Sequence, residues 1–191
     1  MTPHRASLTA SLTAALLASA LAGCASPEPG HGMGKDHPMG MMGGRMAVAT
    51  LTPTQGNTAR GVVMFHEMDG HVMVHAKLSG LKPGAEQGFH IHEVGSCAST
   101  DGTSAGGHFN PGGQPHGPQT AAHHAGDLPA LKADANGNVD QKFMIDGPSI
   151  AEGAASLVGR SVIVHAQPDD YATQPTGNSG ARVACGVIAA P

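Results

Sequence analysis

The dipeptide Asp69-Gly70 separates two runs in which apolar and polar residues alternate, Arg60 to Met68 and His71 to Leu78. Such a link accepts positive φ at both positions, matches the twist of paired strands and closes a tight antiparallel hairpin. Val63 and Phe65 then share a face with Val72, Val74 and Ala76. Further period-two segments run from Gly88 to Val94, from Gly137 to Ile145 through the turn Asn136-Gly137, from Ser161 to Ala166 and from Arg182 to Ala189. With 28 glycines, 14 prolines and no tryptophan, the composition fits short strands and many turns. An all-β sandwich or barrel is expected. The stretch from Ser96 to Leu131 has little periodicity, and a loop that long inside a domain is usually functional.

The first 44 residues do not read as part of that domain. Leu8 to Ala22 is apolar and small, follows the single charge of Arg5, and is too short and Ala/Ser-rich for a stable membrane span. It ends in Leu21-Ala22-Gly23-Cys24, which resembles the lipobox of bacterial lipoproteins, where cleavage frees the cysteine and lipid is attached to it. The alternative is an ordinary secretory signal cut near Ala20 or Ala22, with Cys24 incidental. Either way the chain is exported. Residues 1–23 are expected to be the signal peptide, and residues 24–44, rich in Gly, Pro, Met and His, a flexible tether from a membrane anchor. Residues 45–191 form the domain. The anchor places the protein in the cell envelope, on the periplasmic or surface side of a bacterial membrane. With Cys24 lipidated, an oxidising compartment favours pairing of Cys97 with Cys185 over two buried free thiols. The net charge of −4 and the lack of a basic run argue against nucleic acid as a partner.

The chemistry lies in six histidines and one aspartate. His90 and His92 are two apart on an expected strand and project from one face. The long loop carries His108, His116, His124 and Asp127, and His165 ends a later strand. Three histidines and an aspartate are a closed tetrahedral ligand set for structural zinc, which would order a loop without a core of its own.

The segments Gly88 to Glu93, Gly106 to Pro111, His124 to Leu128, Val162 to His165 and Gly177 to Ile188 resemble the signature segments of copper–zinc superoxide dismutases. Gly95-Ser96-Cys97 is similar to the exported bacterial branch. The resemblance implies an eight-stranded Greek-key β-barrel with two long functional loops. It implies one copper per subunit on His90, His92, His108 and His165, and one zinc on His108, His116, His124 and Asp127, with His108 bridging. By the same resemblance, His124 rather than His123 is the ligand, and Asp169 is a carboxylate that hydrogen-bonds His90 and His116. Arg182 attracts and orients the substrate anion, Thr176 narrows the channel mouth, and His108 takes part in catalysis as a proton source. The implied activity is dismutation of superoxide to dioxygen and hydrogen peroxide by redox cycling of copper, protecting the envelope. A non-enzymatic copper-binding or copper-delivery protein on the same fold is the rival reading. It would not need all four copper ligands, the bridge and Arg182 together, and a zinc-only domain meets the same objection. A homodimer and a copper donor are open as partners.

Two features depart from that pattern. Asp170 to Thr176 has no lysine, and Cys97 to His108 has no basic residue but contains Asp101. Substrate steering is therefore expected to rest on Arg182 and the copper. The hairpin also pairs Met68 with His71, His66 with Met73 and Met64 with His75, all on the face opposite Val63 and Phe65. The tether adds His31, Met33, His37, Met39, Met41 and Met42. Thioether and imidazole ligands favour copper(I), which suggests copper capture by either element. Methionine packing at a subunit contact is the other use of the hairpin face.

Overall fold

Asp69 and Gly70 both adopt positive φ, 52° and 82°, and join two nine-residue strands. The computed structural model describes residues 44–191. The expected signal peptide, Cys24 and the Met/His positions of the expected tether lie outside them. The strands are β1 (Arg45–Pro53), β2 (Arg60–Met68), β3 (His71–Ser79), β4 (Glu86–Gln87), β5 (Phe89–His92), β6 (Leu131–Lys132), β7 (Val139–Ile145), β8 (Ser161–His165) and β9 (Arg182–Ala189). A single 3-10 turn, Thr103–Ala105, interrupts the first long loop. No helix among the described residues is long and apolar enough to cross a membrane.

Seven strands form one curled antiparallel sheet in the order β5-β8-β9-β1-β2-β3-β7, and β4 pairs with β6. The ring closes through Gln141 of β7, which donates to Ala130 O (3.0 Å) and accepts from Lys132 N (3.2 Å) beside β6. Counting β4 and β5 as one strand broken at Gly88 gives the eight staves of the expected Greek-key barrel. The break has a cause. Gly88 N donates to Gln167 O (2.8 Å) instead of continuing a ladder, and a Cβ there would meet Ser179 Oγ at 2.6 Å. The expected strand from Gly88 to Val94 is accordingly shorter, and Val139 rather than Gly137 opens β7 because Gly137 turns at φ 77°.

Alternation fills the barrel. Ala47, Ala49 and Leu51 of β1, Val63 and Phe65 of β2, and Val72, Val74 and Ala76 of β3 are all within 1% of full burial. They pack with Phe89, Ile91, Leu128, Val162 and Val164 into one core. Burying a Val, Leu, Ile or Phe contributes roughly 1.5–3 kcal/mol each. Outside this core, Cys97 and Cys185 form a disulfide with Cα atoms 5.7 Å apart across a separation of 88 residues. It ties the start of the first loop to β9.

Candidate metal centre

Strand β5 sets the site by parity. Phe89 and Ile91 enter the core, so His90 and His92 point the other way, and all four are buried. Neighbouring β8 is regular up to a register shift between Val164 and His165. Gln87 Nε2 donates to His165 O (2.8 Å), fixing the backbone there.

The first long loop is fastened onto β5 by backbone bonds. Ile91 N donates to Gly126 O, Phe109 N to Ile91 O and Gly126 N to Phe109 O, each at 2.8 Å, and Glu93 N to Gly107 O at 2.9 Å. Isolated bridges pair His92 with His108 and His90 with Asp127. Gly126 is required for the fit, because a Cβ would collide with Ile91 O. Arg160 braces the loop from outside: its guanidinium lies 4.5 Å over the Phe109 ring and donates to Glu93 O (2.6 Å).

These constraints bring the expected residues into two groups that share His108. His90, His92, His108 and His165 form one, and His108, His116, His124 and Asp127 the other. In each, one ligand atom per residue lies within 4.8 Å of every other. The rings of His90 and His108 are 4.0 Å apart, centroid to centroid. His123 stands outside both groups, its Nδ1 donating to Ala121 O (2.7 Å).

Each ring is anchored by one nitrogen. His92 Nδ1 donates to Gly106 O (2.9 Å) and His165 Nδ1 to Gly180 O (3.1 Å). His90 Nε2 donates to Asp169 Oδ2 (2.5 Å) and His116 Nε2 to Asp169 Oδ1 (2.9 Å). The opposite nitrogens, His90 Nδ1, His92 Nε2, His165 Nε2 and also His108 Nε2, are buried without a hydrogen-bond partner. Leaving one such group unsatisfied costs about 1–3 kcal/mol. Four such atoms on rings that come this close together are the mark of a cation site. Burial holds these rings neutral, as ligation requires. It pushes His92 down to about 2, His165 to about 4 and His90 well below the ordinary range.

In the second group the atoms already crowd together. Asp127 Oδ1 lies 2.8 Å from His108 Nδ1, 2.9 Å from His116 Nδ1 and 3.3 Å from His124 Nδ1. His108 Nδ1 and His124 Nδ1 are 3.4 Å apart. A tetrahedron with roughly 2 Å bonds has edges of about 3.3 Å, so the spacing suits zinc. Asp127 Oδ2 accepts from His124 N (2.9 Å) and Gly117 N (3.1 Å). Burial alone would raise this carboxyl, but the His108 ring and those two amides outweigh it and hold it well below the usual range.

Arg182 opens β9, half-buried. Its Nη1 donates to Gly102 O and its Nη2 to Gly106 O, both at 2.7 Å. Gly106 O thus receives both His92 and Arg182, which couples the arginine to the first group. Arg182 shares a 390 Å³ cleft with Asp101. Thr103 hydrogen-bonds the Asp101 carboxylate and holds it down to about 2.

Sequence reading missed several supports. Gln174 clasps the backbone of His116, accepting from its N–H and donating to its carbonyl, both at 2.8 Å. The carbonyls of Gly102, Gly106 and Gly180 were equally invisible, since a backbone acceptor has no residue type to signal it.

The copper/zinc superoxide dismutase (SODC) family matches residues 59–188. A superoxide dismutase-like protein, YojM, of Bacillus subtilis is 43% identical over 136 residues, covering 68% of this chain and 69% of its own. A superoxide dismutase (Cu-Zn) of Schizosaccharomyces pombe is 46% identical over 138 residues, covering 67% and 88%. Among solved structures, a SOD-like protein from Bacillus subtilis superposes with TM-score 0.68 at 39% identity, covering 73% of this chain and 96% of its own. The clock protein EA4 does so with TM-score 0.70 at 37% identity, covering 80% and 98%. The fold, the paired histidine groups and these matches converge: the chain belongs to the copper/zinc superoxide dismutase family.

Proposed function

We propose that this chain dismutates superoxide to dioxygen and hydrogen peroxide. Copper would be held by His90 Nδ1, His92 Nε2, His108 Nε2 and His165 Nε2, and zinc by His108 Nδ1, His116 Nδ1, His124 Nδ1 and Asp127 Oδ1. One observation carries the reading: the four rings of the first group bring one ligand atom each within 4.8 Å of the others, each ring has one buried nitrogen without a partner, and the other nitrogen of each outer ring is tied down. The copper, when bound, supplies a one-electron carrier that imidazole ligands support in both oxidation states.

The protein's residues supply the rest. Asp169 fixes the tautomers of His90 and His116, and carbonyls fix those of His92 and His165, so each free lone pair faces its group. His108 has one nitrogen in each group, so its Nε2 can take up and give back a proton while Nδ1 holds the ring in place. Arg182 is a permanent cation whose remaining N–H groups suit a small oxyanion. The rival reading, a non-enzymatic copper carrier, leaves the bridge and Arg182 without a use.

The reaction takes place outside the cytoplasm, with the chain anchored through lipid on Cys24. The segment ending in Leu21-Ala22-Gly23-Cys24 supports this, as does the disulfide, which suits an oxidising compartment. The test is metal analysis of the purified full chain together with superoxide consumption. The expected result is one copper and one zinc per chain and rapid consumption that His165→Ala abolishes. A fully metallated chain that leaves superoxide to its uncatalysed decay would overturn the reading.

A further inference from the structure

The outer wall of the barrel, four strands round the ring from β5, carries a row the sequence showed only in part. Register places Met46 of β1 beside His66 of β2, His66 beside Met73 of β3, and Met73 beside Met144 of β7. Inward neighbours Ala47, Phe65, Val72 and Val74 are fully buried, so all four row members face out. Met46 is 46% exposed and Met144 51%, although large apolar side chains on a sheet face gain nothing from water. One step along the strands, Met64 pairs with His75 on the same face.

We propose that this row is a second metal site, separate from the buried centre, which takes monovalent copper through the thioethers of Met46 and Met73 and the imidazole of His66. Directly opposed residues on adjacent strands have Cβ atoms about 4.5–5.5 Å apart. His66 has a methionine on each side at that spacing. The three rotatable bonds of methionine let both sulfurs swing to the central ring. Soft thioether ligands select copper(I) over the harder divalent ions.

Among the described residues, His66 is also the unpaired histidine of this wall. His71 Nδ1 is held by Asp146 and His75 Nε2 by Asp140, each at 2.6 Å, whereas His66 has no hydrogen-bond partner among the described residues. Its ring lies over the chain's entry to the barrel. Gly44 packs against this ring, where a Cβ would stand 2.5 Å from His66 Nε2 and 2.9 Å from its Cδ2, so only a glycine fits there. Met144 extends the row as a third sulfur within reach of Met73.

The test uses the full chain with its centre already loaded with copper and zinc, and methyl-labelled methionine. Copper(I) is added anaerobically, and the methionine methyl resonances are followed, assigned by single Met→Leu variants. The expected result is that Met46 and Met73 shift together and saturate at one added equivalent. In competition with a copper(I) chelator, a Met46→Leu/Met73→Leu variant should bind one equivalent fewer than the parent. Leucine conserves volume at these outward-facing positions, and unchanged superoxide consumption would confirm that the variant is folded. Ligands outside the barrel contribute equally to both proteins and cancel in the difference. Unmoved Met46 and Met73 resonances, or equal copper(I) uptake by parent and variant, would overturn the proposal.

Discussion

His90 Nε2 lies 2.5 Å from Asp169 Oδ2, and both side chains are fully excluded from solvent. The other oxygen of the same carboxylate holds His116 at 2.9 Å. One residue of the second long loop, which joins β8 to β9, therefore orients a ring in each of the two ligand groups.

Replacing Asp169 with Asn removes one of the two acceptors and puts an amide donor against a ring N–H. Metal affinity should fall about 10–100-fold, measured by competition with a chromophoric zinc chelator. Unchanged affinity would mean the loops alone orient His116.

Gly177 lies against the same carboxylate. Its φ is 65°, and a Cβ would land on Asp169 Oδ1 and His116 Nε2. Gly177→Ala should lower the thermal midpoint and metal content together, at a backbone cost of about 1–3 kcal/mol. Full metal content in this variant would show that the second loop yields without disturbing His116.

The metal-free protein should lose stability in mild acid. Burial lowers His165 to about 4 and His92 to about 2, against an ordinary 6.5. Below that ordinary value the unfolded chain takes up protons that the native state refuses. Stability is thus fully present above about pH 6.5, falls as pH drops to about 4, and goes on falling toward about 2 on account of His92. His165 alone involves on the order of 3 kcal/mol. Asp127, also held low, adds a loss of the same sign in stronger acid. Urea midpoints across this range check it, and a flat profile for the metal-free chain would contradict it.

Arg182→Ala should reduce kcat/KM about tenfold or more by removing the fixed cation at the mouth. No lysine or arginine occurs between residues 95 and 131 or between 166 and 181. The parent's rate should therefore depend weakly on ionic strength. Asp101→Asn removes a negative charge from the same cleft and should raise the rate at low salt. A steep salt dependence that persists in Arg182→Ala would place the steering elsewhere.

Replacing Cys97 and Cys185 together with Ser should cost about 4.5 kcal/mol by chain entropy, read from chemical denaturation. Much of the loss should be felt at Gly95–Gly106, the segment that carries the acceptors for His92 and Arg182.

What the sequence disclosed followed the range of its signals. Asp69-Gly70 fixed the hairpin because its turn chemistry is local, and every Met/His pairing read from it recurs in the register. Strand β9 was bounded correctly at both ends, since Val183, Ala184, Cys185 and Ile188 form a strong apolar run. Strand β1 carries no such signal, because its inward residues Ala47 and Ala49 are too small to stand out as a pattern. Two-residue β6 has no pattern at all and exists only through Glu86 and Gln87 opposite. Resemblance supplied the metal-site residues, which the fold brings together. Gln174 and the glycine carbonyls could not be found that way, because their use depends on where two distant loops meet.

A parity rule governs the centre. Phe89 and Ile91 face hydrocarbon while His90 and His92 face the cluster of candidate metal ligands, and the first loop is stitched to this same four-residue segment. Sliding that segment by a single position would drive two imidazoles into oil and leave a phenyl ring where a cation belongs. Misregistered folding therefore announces itself as failure to metallate, so cofactor uptake doubles as proofreading of the barrel.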